Sequence, residues 1–432
     1  MGHVPDLALS STEFTNAPVP INNRISWWTI ALIKIGVVLA LPGFLIGAQI
    51  GHSMGLRNGM IAFFGGAAIL AIIAMLTATV AAQTHLATSV ITQFPFGRVG
   101  ARVINLILGI TLIGWFAVTA EIFGSTLAQM ATSILTIHIP EKVGTVIGGL
   151  LMVGTTMFGF KAISRLADLA VPLLLILLLV ITWLAIRDHS LATLLAYRGT
   201  GQTSIGVSIS AVVGGASVGT IIFPDIARFA RSANHGRGAA VFTYGLCLPL
   251  MFVMVAVASV ATGERNIMVL MLALGLGGIT LAFLVFKAWT TNVANLYSSS
   301  LFFSTLLPRF RFRFVVLGVG ALGIASATLG LTQHFVPFLL VLGITIPPIA
   351  GIYVTDYQLR GRRLDIAVLA SNPKIGIPAF CAWGGGIAIA GLSSSNSVLT
   401  LTSIPSCDSI IVAAALYAAL HFCTQGRSRL AT

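Results

Sequence analysis

The sequence predicts an all-α polytopic membrane protein with twelve transmembrane helices. Three observations carry that reading. Of its 432 residues, 57% are hydrophobic and 8% are charged, too little charge to cover a soluble domain of this size. Apolar runs of about 20 residues recur along the chain, the length an α-helix needs to cross about 30 Å of hydrocarbon. Basic residues, finally, alternate between loops in the pattern that orients membrane helices.

In chain order, the spans lie near 27–50, 59–82, 102–132, 143–160, 167–186, 204–222, 238–261, 267–291, 313–331, 334–355, 375–392 and 404–423. Residues 1–26 are polar, lack the basic-then-apolar order of a cleaved signal, and read as a cytoplasmic tail. Between spans two and three, "THLATSVITQFPFGRVG" is too polar to cross and reads as a loop. Loops after even-numbered spans hold fourteen Lys and Arg against five after odd-numbered ones. Both termini are therefore expected in the cytoplasm, in a multi-pass protein of the inner or plasma membrane.

Several function classes are excluded at this level. The formal net charge of +13 reflects loop orientation, because no aromatic-interleaved basic patch offers nucleic-acid bases a stacking surface. Cys247, Cys381, Cys407 and Cys423 form no CxxC pair and read as small apolar fillers. Glu121 is the one acid well inside a span, and the eight histidines show no ligand spacing. An enzyme or a resident cofactor is not expected. A channel would need short repeated pore loops, which the sequence lacks.

Interruptions within spans carry more information. Span one reads "IKIGVVLALPGFLIGAQIG", with Pro42-Gly43 near its middle, and proline both removes an amide donor and clashes with the preceding turn. Span six crowds Gly214, Gly215 and Gly219 at its centre. Glycines also serve close helix packing, and either segment alone allows that reading. Spans one and six each open a five-span unit, and paired interruptions at such positions point to a transporter binding site at the bilayer midplane.

Four stretches then carry a family resemblance: "GWFAVTAEIFG" (114–124), "FPDIARFARSA" (223–233), "WTTNVANLY" (289–297) and "IPPIAGIYVTDYQLRGRR" (346–363). With them the chain resembles the nucleobase–cation symporter-1 family, most closely its cytosine-permease branch. The resemblance implies a LeuT-type fold of two inverted five-helix repeats plus two further helices. On this chain those units are 27–187, 204–356 and 372–424, after the 1–26 tail. It further implies uptake of a nucleobase or related heterocycle with a cation, sodium favoured over a proton. Trp115 corresponds to the family's stacking tryptophan. A sodium site would use carbonyls near Gly36, Ala40 and Lys287 with the hydroxyls of Thr290 and Thr291. The substrate-facing set adds Leu112, Gly215, Ala216, Asn292 and Asn295. Leu112 stands where the branch has glutamine, and Gly215-Ala216 where it has serine and phenylalanine. A pocket so altered is larger and poorer in hydrogen bonds, which turns it away from bare cytosine.

By helical phase Lys287, Thr290, Thr291, Asn295 and Ser298 share one stripe. The stripe is expected to face the bundle interior, since a lysine exposed to lipid costs about 2.5–3.5 kcal/mol. Oxygen ligands suit a hard cation, although membrane-helix threonines also bond back to their own carbonyls. Lys287 and Lys34 leave three readings open: an ion pair with Glu121, a proton carrier, or a partner for an acidic substrate group. An amino-acid or amine carrier of the same fold is the alternative function.

Overall fold

The computed structural model describes residues 18–430 apart from 159–160, 188, 202, 266–269, 272–273, 277, 308 and 396–400. Residues 1–17 of the expected tail and parts of the start of span eight lie outside them. Among the described residues the regular structure is helical, with one isolated bridge between Ile25 and Ala230. The principal helices are α1 (Trp27–Val38), α2 (Leu41–Thr84), α3 (Gly100–Leu135), α4 (Glu141–Phe158) and α5 (Lys161–Arg187). Next come α6 (Ile205–Ile221) and α7 (Ala233–Thr262), the latter with a π-helical stretch at Val241–Cys247. The remaining helices are α8 (Gly278–Leu306), α9 (Phe312–Thr328), α10 (Phe335–Thr345), α11 (Pro347–Leu359), α12 (Ile377–Ser395) and α13 (Pro405–Leu430). Six described helices are long and apolar enough to cross a membrane.

Span one is interrupted as expected, but three residues upstream of the Pro42-Gly43 pair. α1 stops at Val38, Leu39 and Ala40 leave helical geometry, and Pro42 sits in the first turn of α2. Proline is tolerated there because first-turn amides have no intrahelical partner. α2 then runs through the end of span one and all of span two, with a kink at Gly55 (φ 72°). A side chain at Gly55 would meet the Tyr197 carbonyl oxygen at 2.1 Å, so both the backbone angle and the space require glycine.

Span six departs from expectation. α6 is unbroken through Gly214, Gly215 and Gly219 and ends only at Ile221, before the short helix Pro224–Ala227. The reason is packing: a Cβ at Gly214 would lie 1.8 Å from the Leu339 carbonyl oxygen of α10, and one at Gly343 2.6 Å from the Ser210 oxygen. Small residues here let two backbones approach.

Other boundaries also moved. Span eight, expected to end near 291, belongs to a helix that reaches Leu306 and places Lys287 in its interior. Its later polar residues stay helical by bonding carbonyls: Ser299 to Gly109 (2.8 Å) and Ser304 to Ser300 (2.7 Å). Within the expected loop "THLATSVITQFPFGRVG", Thr88–Ile91 and Gln93–Phe96 are short, largely buried helices. The end of the tail is docked rather than free: Ile25 donates to Phe229 (2.7 Å) and Val19 to His85 (3.2 Å). Cys381 and Cys423 are exposed, unlike the packed fillers expected.

Two packed regions meet at the centre. α2 packs on α6 and α7, while α3 packs on α4, α8 and α9. α6 rests on α10, and α12 and α13 pair at one side. The residues expected at the site lie on α1, in the break after it, and on α3, α6 and α8.

Candidate substrate and cation site

The break after α1 sets up the cation region. In an unbroken helix the Ala40 amide would bond the Gly36 carbonyl; here it turns to Val38 (2.8 Å) while Leu39 keeps Ile35 (2.9 Å). The Gly36 oxygen is thereby released. Lys287 of α8, 3% exposed, donates to it from Nζ at 3.2 Å. The negative end of the α1 dipole favours a cation at this point.

The other expected sodium ligands, Thr291 apart, already carry hydrogen bonds, each leaving an oxygen lone pair free. The Ala40 carbonyl accepts from the Gly43 amide at 2.9 Å, and the Thr290 hydroxyl donates to the Lys287 carbonyl at 3.0 Å. The latter is the back-bonding common to membrane threonines. Thr291 Oγ1 is buried and has no hydrogen-bond partner among the described residues. With the Lys287 ammonium on the Gly36 oxygen, this donor set carries a positive charge where a sodium ion would need oxygen ligands, and it does not fit that ion.

Trp115 of α3 stands in an aromatic corner. Its ring meets Phe338 edge-on at 5.5 Å and Phe335 at 6.1 Å, both from α10. One turn on, Leu339 of the same helix backs Gly214 and Gly215, so α10 links the Trp115 wall to the small-residue wall of α6. Leu112 is buried in the adjoining cluster, and Gly215, Ala216 and Asn295 are half-buried. Phe335 and Phe338 were missed from sequence. Their signal was an aromatic pair three residues apart in span ten, "HFVPF", outside the stretches that carried the resemblance.

The polar residues around this corner are held as follows. Asn292 is buried: its Nδ2 donates to the Phe116 carbonyl (3.0 Å) and reaches Met152 Sδ (3.2 Å), tying α8 to α3 and α4, while its Oδ1 has no partner among the described residues. Glu121 pairs with neither lysine. Its carboxylate accepts from the Thr332 amide (2.9 Å) and from the Thr332 hydroxyl, in the turn before α10. Lys34 instead donates to the Gly219 carbonyl of α6 at 3.0 Å and lies 5.0 Å from the Phe223 ring centroid. A backbone amide and freed carbonyls satisfy these charges, which removes the Glu121 ion pair from the three readings left open.

The charged ends of spans six and ten are built differently. Asp356 and Arg360 form an ion pair at 2.8 Å, with Tyr417 donating to Asp356 at 2.7 Å. Asp225 accepts from the Thr88 amide at 2.8 Å, and Arg228 Nε donates to the Asp225 carbonyl at 3.2 Å. No group of three potential metal-ligating side chains occurs among the described residues.

Comparison with known proteins agrees with this architecture. A family model described as "Permease for cytosine/purines, uracil, thiamine, allantoin" matches residues 18–400. The cytosine permease of Escherichia coli K12 is 28% identical over 393 residues, covering 90% of this chain and 92% of that protein. The hydantoin permease of Microbacterium maritypicum is 24% identical over 416 residues, covering 89% and 84%. Among solved structures, Mhp1, a nucleobase-cation-symport-1 family transporter, is 20% identical. Its inward-facing form gives a TM-score of 0.84 over 95% of this chain and 93% of that one. Its closed form with bromovinylhydantoin bound gives 0.77 over 95% and 96%.

Proposed function

The chain belongs to the family of permeases for cytosine/purines, uracil, thiamine and allantoin, the nucleobase–cation symporter-1 family, and on that premise we propose that it imports a substituted nucleobase-like heterocycle by cation-coupled alternating access. It is a membrane transporter and not an enzyme. The observation that carries the substrate reading is Trp115 in its corner with Phe335 and Phe338, across α10 from Gly215 and Ala216. An aromatic face takes a planar ring, and small residues leave room for a substituent. Leu112 offers no polar contact, which disfavours bare cytosine. That relatives include both a cytosine and a hydantoin permease supports a heterocycle of this general shape.

In this reading the two five-helix units, 27–187 and 204–356, move about the site, and both termini face the cytoplasm. Sodium and the proton are the two cations the sequence names for coupling, and the donor set around Gly36 argues against sodium. Trp115→Ala tests the substrate site. Base–aromatic stacking is worth about 1–3 kcal/mol, so hydantoin or purine binding to the purified protein should weaken roughly tenfold to hundredfold. Trp115→Phe should retain part of the affinity. Parental affinity in both variants refutes the site.

A further inference from the structure

We infer that the Lys287 ammonium is a cation built into the break of α1, so that this chain holds its α1–α8 junction together without sodium. The inference rests on the transporter reading above and deepens it by specifying what occupies the cation seat. Its first support is geometric. The break releases the Gly36 carbonyl, among others at the end of α1, because the Ala40 amide has turned to Val38. A carbonyl left bare at bilayer depth is costly, and the Lys287 ammonium satisfies it at 3.2 Å. The link joins residues 251 positions apart, on α1 and α8.

A second support is the fate of the neighbouring charges. Glu121 is committed to Thr332, and Lys34 to Gly219. Lys287 is therefore not half of an ion pair with Glu121; its charge is met by a carbonyl dipole at a helix C-terminus, as a bound metal ion's would be. A sodium ion entering the same seat would face a fixed positive charge at close range, in surroundings too dry to screen it. Removing the ammonium reverses the situation. The Gly36 oxygen is freed, and the buried, unpartnered Thr291 hydroxyl and the Thr290 oxygen lie on the same α8 face.

The test is the melting temperature of the purified full chain across a sodium chloride series balanced with choline chloride, alongside binding of radioactive sodium. Neither readout needs a heterocycle, so failure here is separate from failure of the substrate assignment. The parent should give a flat series and bind no displaceable sodium, as should Lys287→Arg. Lys287→Asn should gain about 2 °C when sodium reaches roughly ten times its dissociation constant, and should bind the label. Lys287→Met repeats that arm if the Asn variant does not fold. Sodium stabilisation or displaceable sodium binding in the parent overturns the inference. So does a folded Asn or Met variant as indifferent to sodium as the parent, which reduces Lys287 to a packing tie.

Discussion

Gly214→Ala separates a glycine kept for packing from a glycine kept for a helix break. The added Cβ would sit 1.8 Å from the Leu339 oxygen, 2.7 Å from its carbonyl carbon and 2.9 Å from the Gly343 nitrogen. All three are backbone atoms of α10, so no rotamer change relieves the clash. Restoring an ordinary contact of about 3.5 Å means driving α6 and α10 apart by roughly 1.7 Å. Overpacking of a filled interior costs about 1–3 kcal/mol, and a backbone-on-backbone clash belongs at the upper end. Phe335 and Phe338 would move with α10, disturbing the corner around Trp115. Gly215→Ala is the control: its Cβ meets the flexible tip of Ile46 at 2.4 Å, which a rotamer shift costing about 0.5–1.5 kcal/mol relieves. Size-exclusion profiles after a heat ramp should show Gly214→Ala losing the monodisperse peak well below the parent, with Gly215→Ala between them. Equal melting of the two variants, or parental melting of Gly214→Ala, refutes the packing account and restores the break read from the sequence.

Two further outcomes follow from particular contacts. Ala216→Phe refills the half-buried wall of α6 and should weaken binding of a substituted heterocycle while sparing or improving that of a bare pyrimidine; unchanged affinity for every ligand removes Ala216 from the pocket. Burial, and beyond it the charge of Arg24, lowers the His85 imidazole below its ordinary value of 6.5, against the raising effect of its hydrogen bond to the Arg228 carbonyl at 2.8 Å. Because the unfolded chain takes up that proton more readily, the stability His85 contributes is full above 6.5 and is lost as pH falls below it. Melting temperatures between pH 8 and pH 5 should therefore fall less steeply in His85→Gln, and identical slopes contradict the assignment.

The features legible in the sequence were those fixed by local chemistry. Pro42-Gly43 announced the interruption of span one, yet displaced it, because proline ends the helix before it and opens the one after it. The crowded glycines of span six misled for a related reason. A glycine that permits a break and one that permits close approach look alike until the neighbour, here Leu339, is known. Lys287 stood out as anomalous, but its acceptor is a carbonyl freed by backbone turning at Ala40, which no residue type encodes. An ion pair between Glu121 and a lysine was one of three readings left open. The Thr332 amide that holds it exists because the chain turns at Leu331–His334 before α10, a property of backbone shape. Phe335 and Phe338 show the same limit: their contact with Trp115 depends on the α3–α10 crossing, which periodicity alone does not give.

The central claim is that a planar heterocycle is the cargo, and uptake competition tests it most directly. Purified protein in proteoliposomes, supplied with a radiolabelled hydantoin or purine, should accumulate the label inside. Unlabelled substituted heterocycles should block that accumulation, while amino acids and simple amines at the same concentration should not. In Trp115→Ala vesicles the heterocycle signal should collapse. Uptake of a labelled amino acid or amine, with no heterocycle transported or competing, would contradict the account and return the chain to the amine-carrier alternative of the same fold.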